Sequence, residues 1–160
     1  MNQTGIYVNI MKESLVRKKD YLQEILELTN KQGELASASE LDGDAFGTIV
    51  DRKEILIANV NEIDKGFTAV YDRVRKEIIQ DKELYKDELK AIQESIRQCV
   101  DLGMAIESAE HRNKSALETA IAKSFRGVKQ LKQSTQVVNK YYKSMSNGMV
   151  NDSILYDRKK

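Results

Sequence analysis

The stretch YKDELKAIQESIRQCVDLGMAI, residues 85–106, decides the fold of this chain. Apolar or small residues recur along it in alternating steps of four and three: Tyr85, Leu89, Ile92, Ile96, Cys99, Gly103 and Ile106. This spacing places them on one side of an α-helix and is typical of the seam of a coiled coil. The stretch therefore predicts a long helix that packs lengthwise against other helices.

Two earlier segments carry a similar pattern. In the first, about residues 7–38, the apolar residues at helical spacing are Val8, Met11, Leu15, Leu22, Ile25, Leu26 and Leu35, and three polar residues, Lys18, Thr29 and Gln32, interrupt the stripe. In the second, about residues 44–79, the steps alternate between four and three from Leu56 to Val74. Both segments are predicted to be helices with an apolar side.

The connection between these two segments has the composition of a turn. It reads ASASELDGD, residues 36–44, and contains Gly43 and the candidate N-caps Asp42 and Asp44. Small residues, glycine and capping side chains together favour a reversal of chain direction followed by a new helix. The first two helices are therefore expected to form an antiparallel hairpin.

The third helix is predicted to be the longest. Asp81 is a candidate N-cap, and the apolar pattern extends to Met145, with Glu110 and Asn113 as polar residues on the seam. A helix over residues 81–145 would be about 95 Å long, roughly twice the length of either earlier helix. Two solutions stay open: a break near residues 111–114 that folds the rest back as a fourth helix, or a projecting helix with an exposed apolar stripe.

These patterns predict an all-α fold, an elongated antiparallel helical hairpin or bundle that resembles a coiled coil. One domain is expected over residues 1–145, with helices at about 7–38, 44–79 and 81–145, followed by a flexible tail over residues 146–160. The absence of proline and a charged fraction of 32% agree with long helices. No apolar run approaches the roughly 18 residues of a membrane span, and the N-terminus lacks a signal-peptide pattern, so a cytoplasmic protein without membrane insertion is expected.

Catalysis is not expected, because the residues that it would need are missing from the sequence. His111 is the only histidine and Cys99 the only cysteine, so the sequence offers no second histidine or clustered cysteines at metal-ligand spacing, and a serine or cysteine nucleophile is expected to lack a histidine base. Cys99 lies at seam spacing and is expected to be a packing residue rather than a reactive thiol. The glycines are isolated, so no phosphate-binding loop is predicted and no cofactor is expected.

Charge is concentrated at one end of the chain. Residues 121–160 contain nine basic and two acidic side chains, a local net charge of +7 in a chain whose total is +1. The lysines and arginine of this end lie beside Tyr141 and Tyr142, but no nucleic-acid-binding motif is present, so a nucleic-acid partner is not predicted. A basic helix face of this kind suits an acidic protein partner.

Four parts of the sequence resemble a known family. They are VDRKEILIANVNEIDKGFTAVYDRV (residues 50–74), NKSALETAIAKSFRGVKQLKQS (113–134), NKYYKSM (139–145) and the end SILYDRKK (153–160). Together they are similar to the FlgN-type flagellar export chaperones of Gram-positive anaerobes. The strongest markers are the start of the second helix, D-R-K-E-x-L-I, and the ending with Tyr-Tyr-Lys and Asp-Arg-Lys-Lys; Ile154 and Leu155 stand where a more aromatic stretch would be typical.

This resemblance implies a function. Proteins of the FlgN type bind the hook–filament junction proteins FlgK and FlgL, prevent their premature assembly, and deliver them to the export gate of the flagellar type III apparatus. Their C-terminal helical portion holds the client. In this chain the corresponding partner-binding residues are Val128, Leu131, Val138, Tyr141, Tyr142 and Met145, which belong to the stripe that the two shorter helices leave uncovered.

Two other interpretations stay open. A chaperone of the FliT type, whose client is the filament cap protein, would have the same fold and would bind its client in the same way. A homodimeric structural coiled coil would bury the same stripe against a second copy and would bind no client. The sequence leaves the oligomeric state undetermined.

Overall fold

The computed structural model of this protein describes residues 3–123, which form three long α-helices. They are α1 (Gln3–Ala36), α2 (Gly43–Gln80) and α3 (Lys86–Ala122), of 34, 38 and 37 residues. The predicted all-α bundle of three long helices is confirmed. None of the three helices has the uninterrupted apolar length that crossing a bilayer requires.

Short connections with defined caps separate the helices. The Asp42 carboxylate accepts a hydrogen bond from the backbone N–H of Ala45 at 3.0 Å, so Asp42 is the N-cap of α2, one of the two candidates that the sequence offers. Asp44 then lies in the first turn, where a negative charge interacts favourably with the helix dipole. Asp87 and Glu88 occupy the same position in α3.

Contacts between side chains fix the direction of each helix. Lys18 of α1 pairs with Asp64 of α2, and Gln32, further along α1, accepts a hydrogen bond from Lys53, which comes earlier in α2. The two helices are therefore antiparallel. The first and third run in parallel, because Leu15 approaches Cys99 near their starts whereas Thr29 bonds with Glu110 and Asn113 further along both.

The buried residues follow a heptad seam in each helix, with a few buried neighbours beside the seam, such as Ser14, Ile57 and Ala109. In α1 every position of the seam is buried, in alternating steps of three and four: Val8, Met11, Leu15, Lys18, Leu22, Ile25, Thr29, Gln32 and Ala36. The polar residues that the sequence presents as interruptions of the stripe are thus regular members of it. Burial of the apolar members against α2 and α3 supplies the main driving force for the fold.

Within residues 3–123 the buried apolar side chains form three clusters along the bundle. One joins the start of α1 to the end of α2 and the start of α3, and includes Phe67, Ile92 and Tyr85. The middle cluster includes Ile25, Leu56 and Ile106. At the other end Ala36, Leu117 and Ile121 pack together beside Leu41 and Phe46.

The structure corrects the prediction that Asp81 caps the third helix. Asp81 is the C-cap of α2, and its backbone N–H donates to the carbonyl of Glu77 at 3.0 Å. Its own carbonyl accepts from Leu84 and Tyr85 in the connecting turn, and Tyr85, at the N-cap of α3, has its side chain in the core. The third helix therefore begins about five residues later than predicted.

A break near residues 111–114 does not occur, so that form of the fold-back alternative is wrong. The third helix runs without interruption through His111 and Lys114 to Ala122, since Asn113 and Glu110 have buried partners that make their polar side chains acceptable on the seam. The predicted continuation of this helix to Met145 and the predicted tail over residues 146–160 lie outside the described residues.

The spacing between the helices is unequal. Cα atoms of α1 come within 8 Å of Cα atoms in both α2 and α3, whereas no Cα atom of α2 is that close to one of α3. The first helix is therefore the close neighbour of the other two. They meet each other only through their side chains.

Candidate functional site

A layer of polar side chains crosses the core of the bundle where Lys53 of α2 meets Glu110 of α3. The ammonium group of Lys53 donates to Glu110 of α3 and to Gln32 of α1, and Lys53 is 0% exposed. Thr29 of α1 brings its hydroxyl to 3.1 Å from the same carboxylate oxygen. The Asn113 amide donates to the backbone carbonyl of Thr29 at 2.6 Å. Residues of all three helices are therefore joined in one hydrogen-bonded layer, called the central polar layer below.

Burial changes the protonation chemistry of this layer. Desolvation lowers the pKa of Lys53 from 10.5 to about 8, and the neighbouring Glu110 carboxylate partly opposes that shift. A buried charge without a partner would be very unfavourable, so the layer tolerates a lysine because a carboxylate and an amide oxygen are both within reach. These contacts fix the register of the three helices, since sliding one by a turn would separate the charges.

A second buried ion pair lies about three turns away. Lys18 Nζ is 2.6 Å from Asp64 Oδ1, and the two side chains are 3% and 6% exposed. Desolvation raises the pKa of Asp64, while Lys18 acts in the opposite direction. The second oxygen, Oδ2, has no hydrogen-bond partner among the described residues, so the carboxylate is held from one side only. This pair binds α1 to α2.

Cys99 packs beside this second pair, as its seam position predicts. The thiol is 2% exposed and lies 4.0 Å from the backbone carbonyl of Leu15. Desolvation raises its pKa to about 11, so the thiolate form is not populated at neutral pH. His111 is exposed on α3. Within residues 3–123, no group of three or more His, Cys, Asp or Glu side chains is arranged to hold a metal ion.

Gly33 makes room for the central polar layer. A Cβ atom at this position would lie 2.6 Å from Asn113 Oδ1, well inside van der Waals contact. Replacing Gly33 with alanine is expected to displace Asn113 from the Thr29 carbonyl, a loss of about 1–3 kcal/mol that outweighs a gain of up to about 1 kcal/mol in helix propensity. Urea denaturation should show a net decrease in stability.

Gly66 is the matched control for this substitution. It lies in the interior of α2, is exposed, and a Cβ there would have no heavy atom within 4 Å. Gly66→Ala should therefore raise the free energy of unfolding by up to about 1 kcal/mol. Equal effects of the two substitutions would mean that Gly33 has no role in the polar layer.

The lowered pKa of Lys53 predicts a dependence of stability on pH. Because the folded-state pKa, about 8, is below the ordinary value of 10.5, the unfolded chain binds more protons between these limits, and stability rises with pH in this window. The stability gained by deprotonation of Lys53 is lost again as the pH falls through about 8. From pH 7 to pH 9 the expected gain is about 1 kcal/mol.

Urea denaturation at pH 7, 8 and 9 tests this dependence. The control is the double variant Lys53→Met with Glu110→Leu, which lacks both titrating groups and should show no such gain. Measurements stop at pH 9 because Cys99, with its pKa raised from 9.0 to about 11, opposes the effect above that pH. An identical pH profile in both proteins would contradict the assignment to Lys53.

Two surface features remain at the end of the bundle where α1 starts. A shallow open groove of about 400 Å³ is lined by Gly5, Val8, Asn9, Lys12, Leu84, Tyr85 and Glu88. Large exposed apolar side chains at this end are Ile6, Ile10, Ile79 and Leu84. Neither feature contains a group that points to a particular ligand.

The six predicted partner-binding residues, Val128, Leu131, Val138, Tyr141, Tyr142 and Met145, lie outside the described residues. The sequence analysis missed Lys53, the centre of the polar layer. Its burial could have been predicted, because Lys53 is four residues after Ile49 and three before Leu56, in phase with the seam of α2. Comparison of the chain with protein-family models, curated proteins and solved structures gave no significant match.

Proposed function

We propose that this chain is a cytoplasmic export chaperone of the FlgN type. It binds the hook–filament junction proteins FlgK and FlgL through its C-terminal portion and delivers them to the flagellar type III export gate. The sequence resemblance over residues 50–74, 113–134, 139–145 and 153–160 suggests this family. A bundle of long helices is a scaffold that suits the recognition of helical segments of other proteins.

The proposal rests on the point along α3 at which the α1–α2 hairpin stops covering the apolar side of the helix. The last seam residues, Leu117 and Ile121, pack against Ala36 beside Leu41 and Phe46, which lie at the end of the α1–α2 hairpin. In the sequence the apolar stripe continues past this point, through Phe125, Val128, Leu131, Val138, Tyr142 and Met145. This C-terminal stripe needs an apolar surface to cover it, and an amphipathic client helix offers one.

The composition of the C-terminal stripe suits such a contact. Each large apolar side chain buried against a client helix contributes roughly 1.5–3 kcal/mol, before the costs of association and ordering. Tyr141 and Tyr142 are rigid amphipathic anchors of the type that dominates many interfaces. Flanking lysines, among them Lys129, Lys132 and Lys143, would speed association with a client whose helix carries acidic residues at its edges.

Size-exclusion chromatography with light scattering tests the proposal. The protein is analysed alone, then with FlgK, with FlgL and with the filament cap protein of the same genome. The expected result is a monomer that forms a stable complex with FlgK or FlgL. A complex with the cap protein alone would indicate the FliT-type role, and a concentration-dependent dimer that binds none of the three would indicate a structural coiled coil.

A further inference from the structure

The carboxylate of Asp64 differs from the other buried polar groups of the bundle. Among the described residues, its Oδ2 atom is the only buried side-chain oxygen or nitrogen without a hydrogen-bond partner. The other oxygen, Oδ1, accepts from the Lys18 ammonium group at 2.6 Å, and the Asp64 side chain is 6% exposed. In the central polar layer, by contrast, the Glu110 carboxylate contacts both the Lys53 ammonium group and the Thr29 hydroxyl. The ion pair between α1 and α2 is therefore completed on one side only.

Asp64 Oδ2 needs a partner whether or not the acid is ionised. A buried carboxylate oxygen without a donor is strongly unfavourable, and a protonated carboxyl group would need an acceptor at the same place. The neighbouring Cys99 thiol is a weak donor, and its own contact is with the backbone carbonyl of Leu15, 4.0 Å away. Water can both donate and accept, and buried waters typically make about three hydrogen bonds to polar groups that the protein leaves unpaired. Water therefore suits this atom in either protonation state.

The part of α3 beside this ion pair carries small side chains. The buried seam of α3 reads, in order, Ile92, Ile96, Cys99, Gly103 and Ile106. Cys99 lies close to the pair, because the charges of Lys18 and Asp64 both act on the pKa of its thiol. A thiol and the hydrogen atom of Gly103 fill less volume than two isoleucine side chains, and no Cα atom of α2 is within 8 Å of one in α3. The surroundings of Asp64 thus combine an unpaired polar atom with the small side chains that favour a site for one water molecule.

We propose that a single water molecule is bound inside the bundle at Asp64 Oδ2, beside Lys18 and Cys99, and completes the ion pair between α1 and α2. The water donates a hydrogen bond to Oδ2, and its oxygen accepts from a neighbouring donor, of which the Lys18 ammonium group is the strongest. Because the Lys18 and Asp64 side chains are only 3% and 6% exposed, the water leaves only when the bundle opens locally, so its residence time is long. The inference rests on α1, α2 and α3 and stands whether or not the export role is right.

Oxygen-17 magnetic relaxation dispersion tests the proposal in the full-length chain, because its amplitude counts water molecules that stay inside a protein longer than the protein takes to tumble. The parent chain is compared with the double variant Lys18→Met with Asp64→Leu, which replaces the ion pair by apolar side chains and should keep the fold. The expected amplitude of this variant is lower by one water molecule. The matched control is Lys53→Met with Glu110→Leu, which removes a buried ion pair whose polar groups bind one another and should not lower the amplitude.

An equal amplitude in the parent chain and the Lys18→Met, Asp64→Leu variant would overturn the proposal. A loss of one water in both double variants would overturn it as well, because the loss would then not be specific to Asp64. A crystal structure of the full-length parent chain gives a measurement that needs no variant. It should show an ordered water within about 3.2 Å of Asp64 Oδ2. A protein group at that distance in place of water, such as a Lys18 ammonium group bound to both carboxylate oxygens, would refute the proposal.

Discussion

Replacing Lys53 with methionine is expected to lower the free energy of unfolding by about 3–5 kcal/mol. Methionine fills a similar volume, but the Glu110 carboxylate and the Gln32 amide oxygen lose their shared donor inside the core. Glu110 is 4% exposed, so water cannot replace the lost partner without opening the bundle. Urea denaturation followed by circular dichroism at pH 7 measures the change. It is a large fraction of the roughly 5–15 kcal/mol that stabilises a typical domain.

Lys65→Met is the matched control, because Lys65 lies on the same helix with its side chain 77% exposed and pairs with the exposed Glu62. Its effect should stay below about 1 kcal/mol. Adding Glu110→Leu to Lys53→Met removes the buried carboxylate that has lost its lysine and should recover much of the lost stability. If Lys53→Met and Lys65→Met cost the same, the central polar layer has no structural role.

Leu131→Asp is expected to weaken binding of FlgK or FlgL by about 100-fold or more. The substitution removes an apolar side chain worth roughly 1.5–3 kcal/mol and places a carboxylate in the interface, and each 1.4 kcal/mol corresponds to a tenfold change in affinity. Isothermal titration calorimetry with each purified client measures the effect. Cooperative unfolding of the bundle is expected to persist, because α1, α2 and α3 bury their own apolar side chains against one another.

Gln133→Asp introduces the same charge two residues away, about 160° around a helix, and should change the affinity less than threefold. Retention of binding by Leu131→Asp would remove the C-terminal stripe from the client site. Loss of the whole helical signal in Leu131→Asp would instead place Leu131 in a core on which folding depends, and would contradict a role that is specific to binding.

The seams of the three helices were predictable from spacing alone. Apolar residues at steps of three and four located all three helices, and the two candidate capping residues, Asp42 and Asp44, placed the start of α2 to within about two residues. Prediction failed where a polar residue depends on a partner in another helix. In the sequence, Lys18, Thr29 and Gln32 interrupt the apolar pattern. In the folded chain each is buried against a partner, Asp64, Glu110 or Lys53 respectively. Pairings of this kind across 46, 81 and 21 residues cannot be read from local spacing.

The same cause explains the incorrect prediction of a possible break at residues 111–114. Glu110 and Asn113 look unfavourable on a seam until Lys53 and Thr29 are placed opposite them. The start of α3 was misplaced for a different reason. Asp81 has the side chain of an N-cap, but the chain uses it to end α2, and burial of Tyr85 in the core sets the start of the next helix. The wide spacing between α2 and α3 could not be predicted, because the apolar pattern of a single helix does not report its distance from another helix.

The most direct test of the account is complex formation with FlgK or FlgL, measured by size-exclusion chromatography with light scattering for the parent chain, Leu131→Asp and Gln133→Asp. The account predicts a stable complex for the parent chain and for Gln133→Asp, and none for Leu131→Asp. A parent chain that binds neither client, or a Leu131→Asp variant that binds as tightly as the parent, would contradict the account.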